Sequence, residues 1–380
     1  MPWENKTVEE LRKEFVASAH EDSNFSSLCR EFGITRKTGY KWLRRAEEDL
    51  SFSDRSKRPH TLANRTAAET ELRIVEVRSK HPGWGAKKIK CFLEQRGIDV
   101  PCIKTVNNIL NRYGCISKEE ALKHKAFIRF EKEQCNELWQ ADFKGEFRMQ
   151  DGNYCYPLDI LDDHSRFVLK LRPSANMSAL VLPTFREAFC EYGMPNAVLS
   201  DNGAQFAGFR QGYTQFEKWL MNHDVLPIHG RIKHPQTQGK IERFHRTMDQ
   251  ELLNHYIPKD LADAEQVLAE WCNCYNYERP HEALGMKAPA QVYVPSVREY
   301  HDTISKYEYG GQFHTVRVNN WGYVRFASFQ IYLSETMIDE RVEFRPSPSE
   351  ESFMVCYRNF SIAEFDVHTG KLLHRKIQRL

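Results

Sequence analysis

Three carboxylates in this sequence stand in settings suited to one kind of reaction. Asp142 lies in a strand-like run over 138–143, and Asp201 follows the short apolar run 198–200 at the turn signal Asp201-Asn202-Gly203. Glu242 lies near the start of a helix fed by a basic loop over 228–239. Breaking or exchanging a phosphodiester requires an activated attacking oxygen, a stabilised leaving oxygen and a neutralised phosphate, and two divalent ions about 3.5–4 Å apart serve all three needs. Mg²⁺ takes carboxylate oxygens and keeps several waters, so one carboxylate shared by both ions and one more for each is an economical set. Taken singly, each residue also has a plainer reading. Asp142 suits a charge guarding an edge strand, Asp201 a tight turn, and Glu242 a helical ion pair with Arg246 or His245.

Gaps this long in the sequence mean that only a folded sheet brings the three together. Residues 137–147 alternate as a strand, Asp151-Gly152 signals a hairpin, and two β-rich runs, 154–161 and 166–171, flank Asp162-Asp163-His164-Ser165. These make a three-stranded meander. A helix over 178–192, ended by Gly193 and Pro195, precedes a strand at 197–200; 209–223 reads as helical, 225–228 as a strand, and 237–255 and 261–277 as two helices. Strands first and helices alternating afterwards imply one mixed sheet covered by helices. After Pro289 short alternating runs between turn residues (316–318, 322–326, 329–333, 341–344, 353–357, 362–366) imply a small antiparallel barrel or sandwich.

The front of the chain is helical. A short helix over 25–32, the turn Gly33-Ile34, Thr35 as N-cap and a basic second helix form the helix-turn-helix pattern, whose second helix enters the major groove. Arg36, Lys37, Tyr40 and Lys41 then face DNA while Trp42 and Leu43 pack inward; any helical hairpin imitates this pattern. A polar segment over 51–66 with Arg55, Lys57 and Arg58 reads as a basic linker able to lie along phosphates. The helical pattern recurs over 69–80 and 86–96, with Gly97 as C-cap, and then over 101–112. There Lys104, Asn107, Asn108 and Asn111 are the polar candidates, since Asn pairs with adenine edges and Lys with guanine or phosphate.

At 380 residues the chain exceeds one ordinary domain. The expected class is multidomain: helix-turn-helix DNA-binding modules at 1–50 and 67–130 (all-α) around the linker 51–66, a catalytic α/β mixed sheet at 131–295, and a small all-β barrel at 296–380. The net charge of +2 hides a basic excess of roughly two to one between Arg36 and Arg112, which suits a polyanion such as double-stranded DNA. A solvated basic surface is the alternative. Ten cysteines at irregular spacing, Cys272 and Cys274 among them, read as core thiols rather than zinc ligands. Met1 to Lys6 lacks the apolar core of a secretory leader and no run of about 18 apolar residues occurs, so a cytoplasmic protein without a membrane span is expected.

Four blocks carry a resemblance. Asn136-Glu137-Leu138-Trp139-Gln140-Ala141-Asp142-Phe143-Lys144-Gly145, Leu161-Asp162-Asp163-His164-Ser165-Arg166, Leu199-Ser200-Asp201-Asn202-Gly203 and the run His234-Pro235-Gln236-Thr237-Gln238-Gly239-Lys240-Ile241-Glu242-Arg243-Phe244-His245-Arg246-Thr247 resemble successive blocks of the integrase-core (DDE) transposases of bacterial insertion sequences, relatives of retroviral integrases. The similarity is strong over 136–295. It implies an RNase H-like core, with Asp142, Asp201 and Glu242 holding two Mg²⁺ or Mn²⁺ ions. Water first frees a 3′-OH at the element end, and that 3′-OH then attacks target DNA. It further implies His234, Lys240 and Arg243 as residues holding DNA near the metals, with His164 and Arg166 as weaker candidates and Phe167 as packing. The stretch between Asp201 and Glu242 is a few residues longer than the commonest spacing, with Arg210-Gln211-Gly212-Tyr213 as a surface insertion. No His-His-Cys-Cys zinc module is visible at the front, where the helix-turn-helix modules replace it.

The expected function is thus a transposase, a polynucleotidyl transferase that binds its element's terminal inverted repeats and joins them to target DNA, with no small-molecule substrate. Paired ends call for a homo-oligomer, a dimer or larger. A DNA-binding regulator with an idle core and a plain RNase H-like nuclease are the alternatives.

Overall fold

The computed structural model describes residues 6–21, 24–48, 51–54, 66–116, 132–177, 180–208, 212–230, 239–347 and 351–380. The linker candidates Arg55, Lys57 and Arg58, and His234 of the basic loop, lie outside the described residues. Two compact units emerge, Met1–Arg65 and Thr66–Leu380.

In the first unit α1 (Val8–Glu21), α2 (Phe25–Glu31) and α3 (Arg36–Glu47) surround Phe15, Val16, Leu28, Cys29 and Trp42. Asn24 caps α2 by accepting from the Ser27 N–H, and Thr35 caps α3 by accepting from that of Thr38. Gly33 makes the turn between them at φ +63°. Trp42 is buried as expected and carries the cations of Arg12, Lys41 and Arg45 over its ring, while Leu43 is half-buried. A Cβ at Gly39 would stand 2.8–2.9 Å from Phe15, Phe25 and Cys29. Gly39→Val is therefore expected to cost this unit about 1–3 kcal/mol by overpacking, which thermal melting of the variant followed at Trp42 would register; an unchanged melting point would refute it.

The second unit opens with α4 (Ala68–Lys80), α5 (Ala86–Glu94) and α6 (Ile103–Arg112), packed around Ile74, Trp84, Ile89, Val106 and Ile109. The α5 helix stops at Glu94, two residues short of the expected end, and its terminal turn closes at Gly97 with φ +74°.

The central sheet has the order β5-β4-β1-β6-β7, built from β1 (Trp139–Phe143), β4 (Leu158–Asp162), β5 (Val168–Arg172), β6 (Ala197–Ser200) and β7 (Leu226–His229). The first three strands are antiparallel neighbours, whereas β6 joins β1, and β7 joins β6, in parallel. The meander is thus present, but its first strand is shorter than expected. Gly145, at φ +91°, ends it, and β2 (Phe147–Arg148) pairs with β3 (Tyr154–Cys155) as a separate ribbon. One face of the sheet packs Trp139, Ile160 and Val198 against Phe185 and Phe189 of α7 (Val181–Tyr192) and Phe216 and Leu220 of α8 (Gln215–Asn222). The other packs Leu161 and Val168 against Phe244 and Met248 of α9 (Gly239–Met248) and Leu268 and Trp271 of α10 (Leu261–Asn273). The backbone of α9 runs on into a π-helical turn, Asp249–Leu253.

Helix α8 starts at Gln215, six residues later than the periodicity expected. Thr214 caps it in a box with Glu217, a start signal that a helical reading from Phe209 passes over. The neighbouring Gly212 and Tyr213 are not surface ornament either. Tyr213 is 5% exposed, donates its hydroxyl to the Ile362 carbonyl at 2.6 Å, and Gly212 abuts Ser334.

The tail is all-β. An antiparallel sheet of order β14-β13-β12-β11-β8 comprises β8 (His314–Arg317), β11 (Arg341–Pro346), β12 (Ser352–Tyr357), β13 (Phe360–Asp366) and β14 (Leu372–Arg379). A ribbon of β9 (Tyr323–Phe326) and β10 (Phe329–Tyr332) stands beside it. Strand β14 is absent from the expected set because its sequence does not alternate apolar with polar; as an edge strand it is largely exposed.

Candidate active site and DNA-reading helices

Strand β1 delivers Asp142 and strand β6 ends just before Asp201. Gln140 pairs with Leu199 in the parallel register, so each aspartate lies two residues beyond a paired position. Neighbouring strands run about 4.8 Å apart, which sets the two backbones level at the same edge. Asp201 Oδ1 accepts from the Gly203 N–H at 2.9 Å, and Asn202 donates to the Gly230 carbonyl at 2.7 Å, fixing the turn to the end of β7.

A third carboxylate, missed in the sequence, stands beside them. Asp159 of β4 lies directly opposite Asp142 in the antiparallel register, so both side chains share one face of the sheet. It is fully buried, its Oδ1 is 2.7 Å from His245 Nε2, and its Oδ2 has no partner among the described residues. Burial first, then the charges of Asp159 and Asp201, push Asp142 up to about 7, although His245 pulls the other way. Burial disfavours a charged imidazole, but Asp159 outweighs it and the His245 pKa is raised. The signal for Asp159 was a carboxylate inside an otherwise apolar strand, which needs a partner to offset its desolvation.

Glu242 is exposed in the first turn of α9, one helical turn before His245. The helix is held to the β1 edge by His245 on Asp159 and by Asp249 on Lys144 at 2.6 Å. Glu242 is not gathered into the aspartate pair: among the described residues no three His, Cys, Asp or Glu side chains form a set that could hold an ion. Arg243 is exposed, whereas Lys240 turns inward and contacts both the carbonyl and the carboxylate of buried Asp163. His164 is half-buried with Nδ1 2.9 Å from the Lys132 carbonyl, Arg166 is buried, and Phe167 stacks on Tyr293 with ring centroids 4.6 Å apart. Cys272 and Cys274 sit half-buried, and burial pushes both thiols up to about 12, which suits core packing.

On the two candidate reading helices, Arg36, Lys37, Tyr40 and Lys41 of α3 are all exposed, as are Lys104, Asn107, Asn108 and Asn111 of α6. The opposite face of α6 buries Val106, Ile109 and Leu110. No helix among the described residues is long and apolar enough to cross a membrane.

Sequence comparison agrees with this arrangement. Patterns described as integrase core domain match residues 132–235 and 223–289, and one described as homeodomain-like domain matches 38–110. A 39.2 kDa protein of insertion element IS476 from Xanthomonas euvesicatoria is 30% identical over 157 residues, covering 41% of this chain and 44% of that protein, so the match spans less than half of that relative. The transposase for insertion sequence element IS904 of Lactococcus lactis subsp. lactis is 24% identical over 253 residues, covering 60% of this chain and 96% of the relative. The HTLV-2 integrase catalytic core domain, solved with magnesium in a trimeric form, is 18% identical with a TM-score of 0.33, covering 43% of this chain and 99% of that one. The chain thus carries integrase core domain sequence over residues 132–289 behind a homeodomain-like segment at 38–110, and over these parts it is similar to proteins of insertion sequences.

Proposed function

We propose that the protein binds the terminal inverted repeats of its own element and catalyses 3′-end cleavage and strand transfer into target DNA. The observation that carries this reading is the level placement of Asp142 and Asp201 on neighbouring parallel strands, inside the segment that matches integrase cores. Crowding of Asp142, Asp159 and Asp201, which pushes Asp142 up to about 7, and an unpartnered oxygen on Asp159 favour added positive charge at this edge, though Glu242 does not stand with the aspartates here. Asp142, Asp201 and Glu242 would hold two Mg²⁺ or Mn²⁺ ions, and bound ions would supply phosphate neutralisation and an activated attacking oxygen. In the first step water adds to the phosphorus and the bond to the element's 3′ oxygen breaks. In the second that 3′-OH attacks a target phosphodiester, and the target's own 3′ oxygen leaves.

In this reading α3 and α6 read the duplex, Arg243 lies near the reacting strand, and the remaining basic residues Arg55, Lys57, Arg58 and His234 follow phosphates. Lys240 serves the Asp163 anchor first. The tail sheet and ribbon form two walls of a small barrel, supported by Phe326 packing on Phe344 at 4.4 Å. Two copies or more assemble to pair two ends, and the protein works in the cytoplasm.

Incubating the protein with labelled DNA from the flanks of its gene and Mg²⁺ or Mn²⁺ tests the reading. Cleaved 3′ ends and joined products support it; specific binding without either would make the protein a regulator instead. Lys41→Ala and Lys104→Ala are each expected to weaken end binding and to lower the slope of log affinity against log salt by about 1. Titrations at several salt concentrations measure this, and an unchanged slope for both would remove these residues from the interface.

A further inference from the structure

The helix that carries Glu242 ends inside the second DNA-reading module's footprint. Nine residues after Glu242, about 13 Å along the axis, Glu251 lies in the middle of the π-helical turn with its side chain 7% exposed. From the core, Arg279 grips this carboxylate with Nε 3.0 Å from both oxygens and Nη2 2.8 Å from Oε1. From the reading module, Trp84 Nε1 donates to Oε2 at 3.4 Å and Lys88 Nζ stands 3.7 Å away. Gly83 leaves room for it: an added Cβ would run into Cγ of Glu251 and lie 3.2 Å from Cδ and Oε1. Three consecutive features of the reader, Gly83, Trp84 and Lys88, therefore converge on one acid of the catalytic helix.

The path continues on the reader's side. Trp84 is fully buried in the same core as Val106 and Ile109 of α6, the helix that exposes Lys104 and Asn107. A buried acid shared by two modules is a poor way to gain stability, since apolar residues of similar volume serve as well. It is a good way to fix a relative orientation, because every donor has a required direction.

We propose that Glu251 is a positioning residue that registers the second reading module to the catalytic helix, so that duplex DNA seated on α6 sets where Glu242 stands. This rests on the transposase reading for its consequence, though the mechanical link is independent of it. Gly83→Ala is the decisive variant, since it drives a methyl into Glu251 while leaving the cores of both modules intact.

The expected result is end-DNA affinity within about threefold of the unmodified protein but 3′ cleavage at the element end reduced by about tenfold to a hundredfold, as for small misplacements of reacting groups. Hydrogen exchange at residues 239–248 should quicken in Gly83→Ala. Cleavage that falls only as far as binding, or exchange at 239–248 that is unchanged, would overturn the proposal. Should the unmodified protein neither cleave nor join DNA, the transposase reading fails, and the exchange comparison of the two DNA-free proteins still decides the link.

Discussion

Asp142→Asn, Asp201→Asn or Glu242→Gln is expected to lower 3′ cleavage and strand joining by more than about a thousandfold, because losing an ion ligand forfeits several kcal/mol of transition-state stabilisation. End binding should stay within about twofold, since the exposed residues of α3 and α6 are remote in sequence and belong to other cores. Asp142→Asn carries a second signature. The replaced carboxyl is the one pushed up to about 7 by burial, Asp159 and Asp201, so removing its charge relieves crowding when no ion is bound. The ion-free variant is therefore expected to melt no lower than the unmodified protein, and Mg²⁺ is expected to raise the melting temperature of the unmodified protein but not that of the variant. Melting curves with and without Mg²⁺, beside gel assays of cleavage and binding, check both halves. A matching loss of DNA binding in all three variants would remove them from the catalytic role.

Glu217→Ala should be the most destabilising single change near the site. The Glu217 side chain is 5% exposed and works in two directions. Its Oε2 accepts from the N–H groups of Gly208 and Thr214 and from the Thr214 hydroxyl, at 3.1, 2.7 and 3.1 Å. Its Oε1 lies 2.9 Å from Nε2 of His229, whose other nitrogen is 3.2 Å from the Ser200 hydroxyl. One carboxylate thus joins the loop after Asp201, the start of α8 and the end of β7. Removing it strands partly buried donors, and a loss of about 3–5 kcal/mol follows, or roughly 10 °C in melting temperature for a unit of this size. Glu217→Gln keeps an acceptor and should retain part of that stability. A melting temperature within about 2 °C of the unmodified protein for Glu217→Ala would show that the network carries little weight.

What the sequence made readable was whatever repeats along the chain. Period-two and helical alternation located most strands of the mixed sheet and the helices of the front of the chain. The resemblance singled out Asp142, Asp201 and Glu242, of which the sheet brings the first two level at one edge and leaves Glu242 apart. What stayed hidden depends on partners distant in sequence. Asp159 gains its place from the β1 register and from His245, 86 residues away. The capping box of Thr214 and Glu217 was masked by the aromatic Tyr213 before it, which reaches the tail rather than extending α8. Lys240 looked free to meet DNA because Asp163, its anchor, lies 77 residues upstream. Edge strand β14 lacks a buried face and so lacks the alternation that marks strands.

The docking of Tyr213 on the tail bears on how this protein comes apart. Lys218 reaches the Thr336 carbonyl at 2.8 Å, Asn222 accepts from Tyr357 at 2.6 Å, and Asp224 receives Arg379 and Asn359 at 2.8 and 3.0 Å. All of these leave from the segment between Asp201 and Glu242, so the β-rich tail braces the very stretch that spaces two of the three carboxylates. Cutting the chain near residue 296 would bare Tyr213 and Met221 and leave Asp224 without its cations, and the truncated core would aggregate or melt early. Core and tail are therefore expected to melt together, and the stretch between the two candidate ion ligands Asp201 and Glu242 is expected to keep its form only with the tail attached.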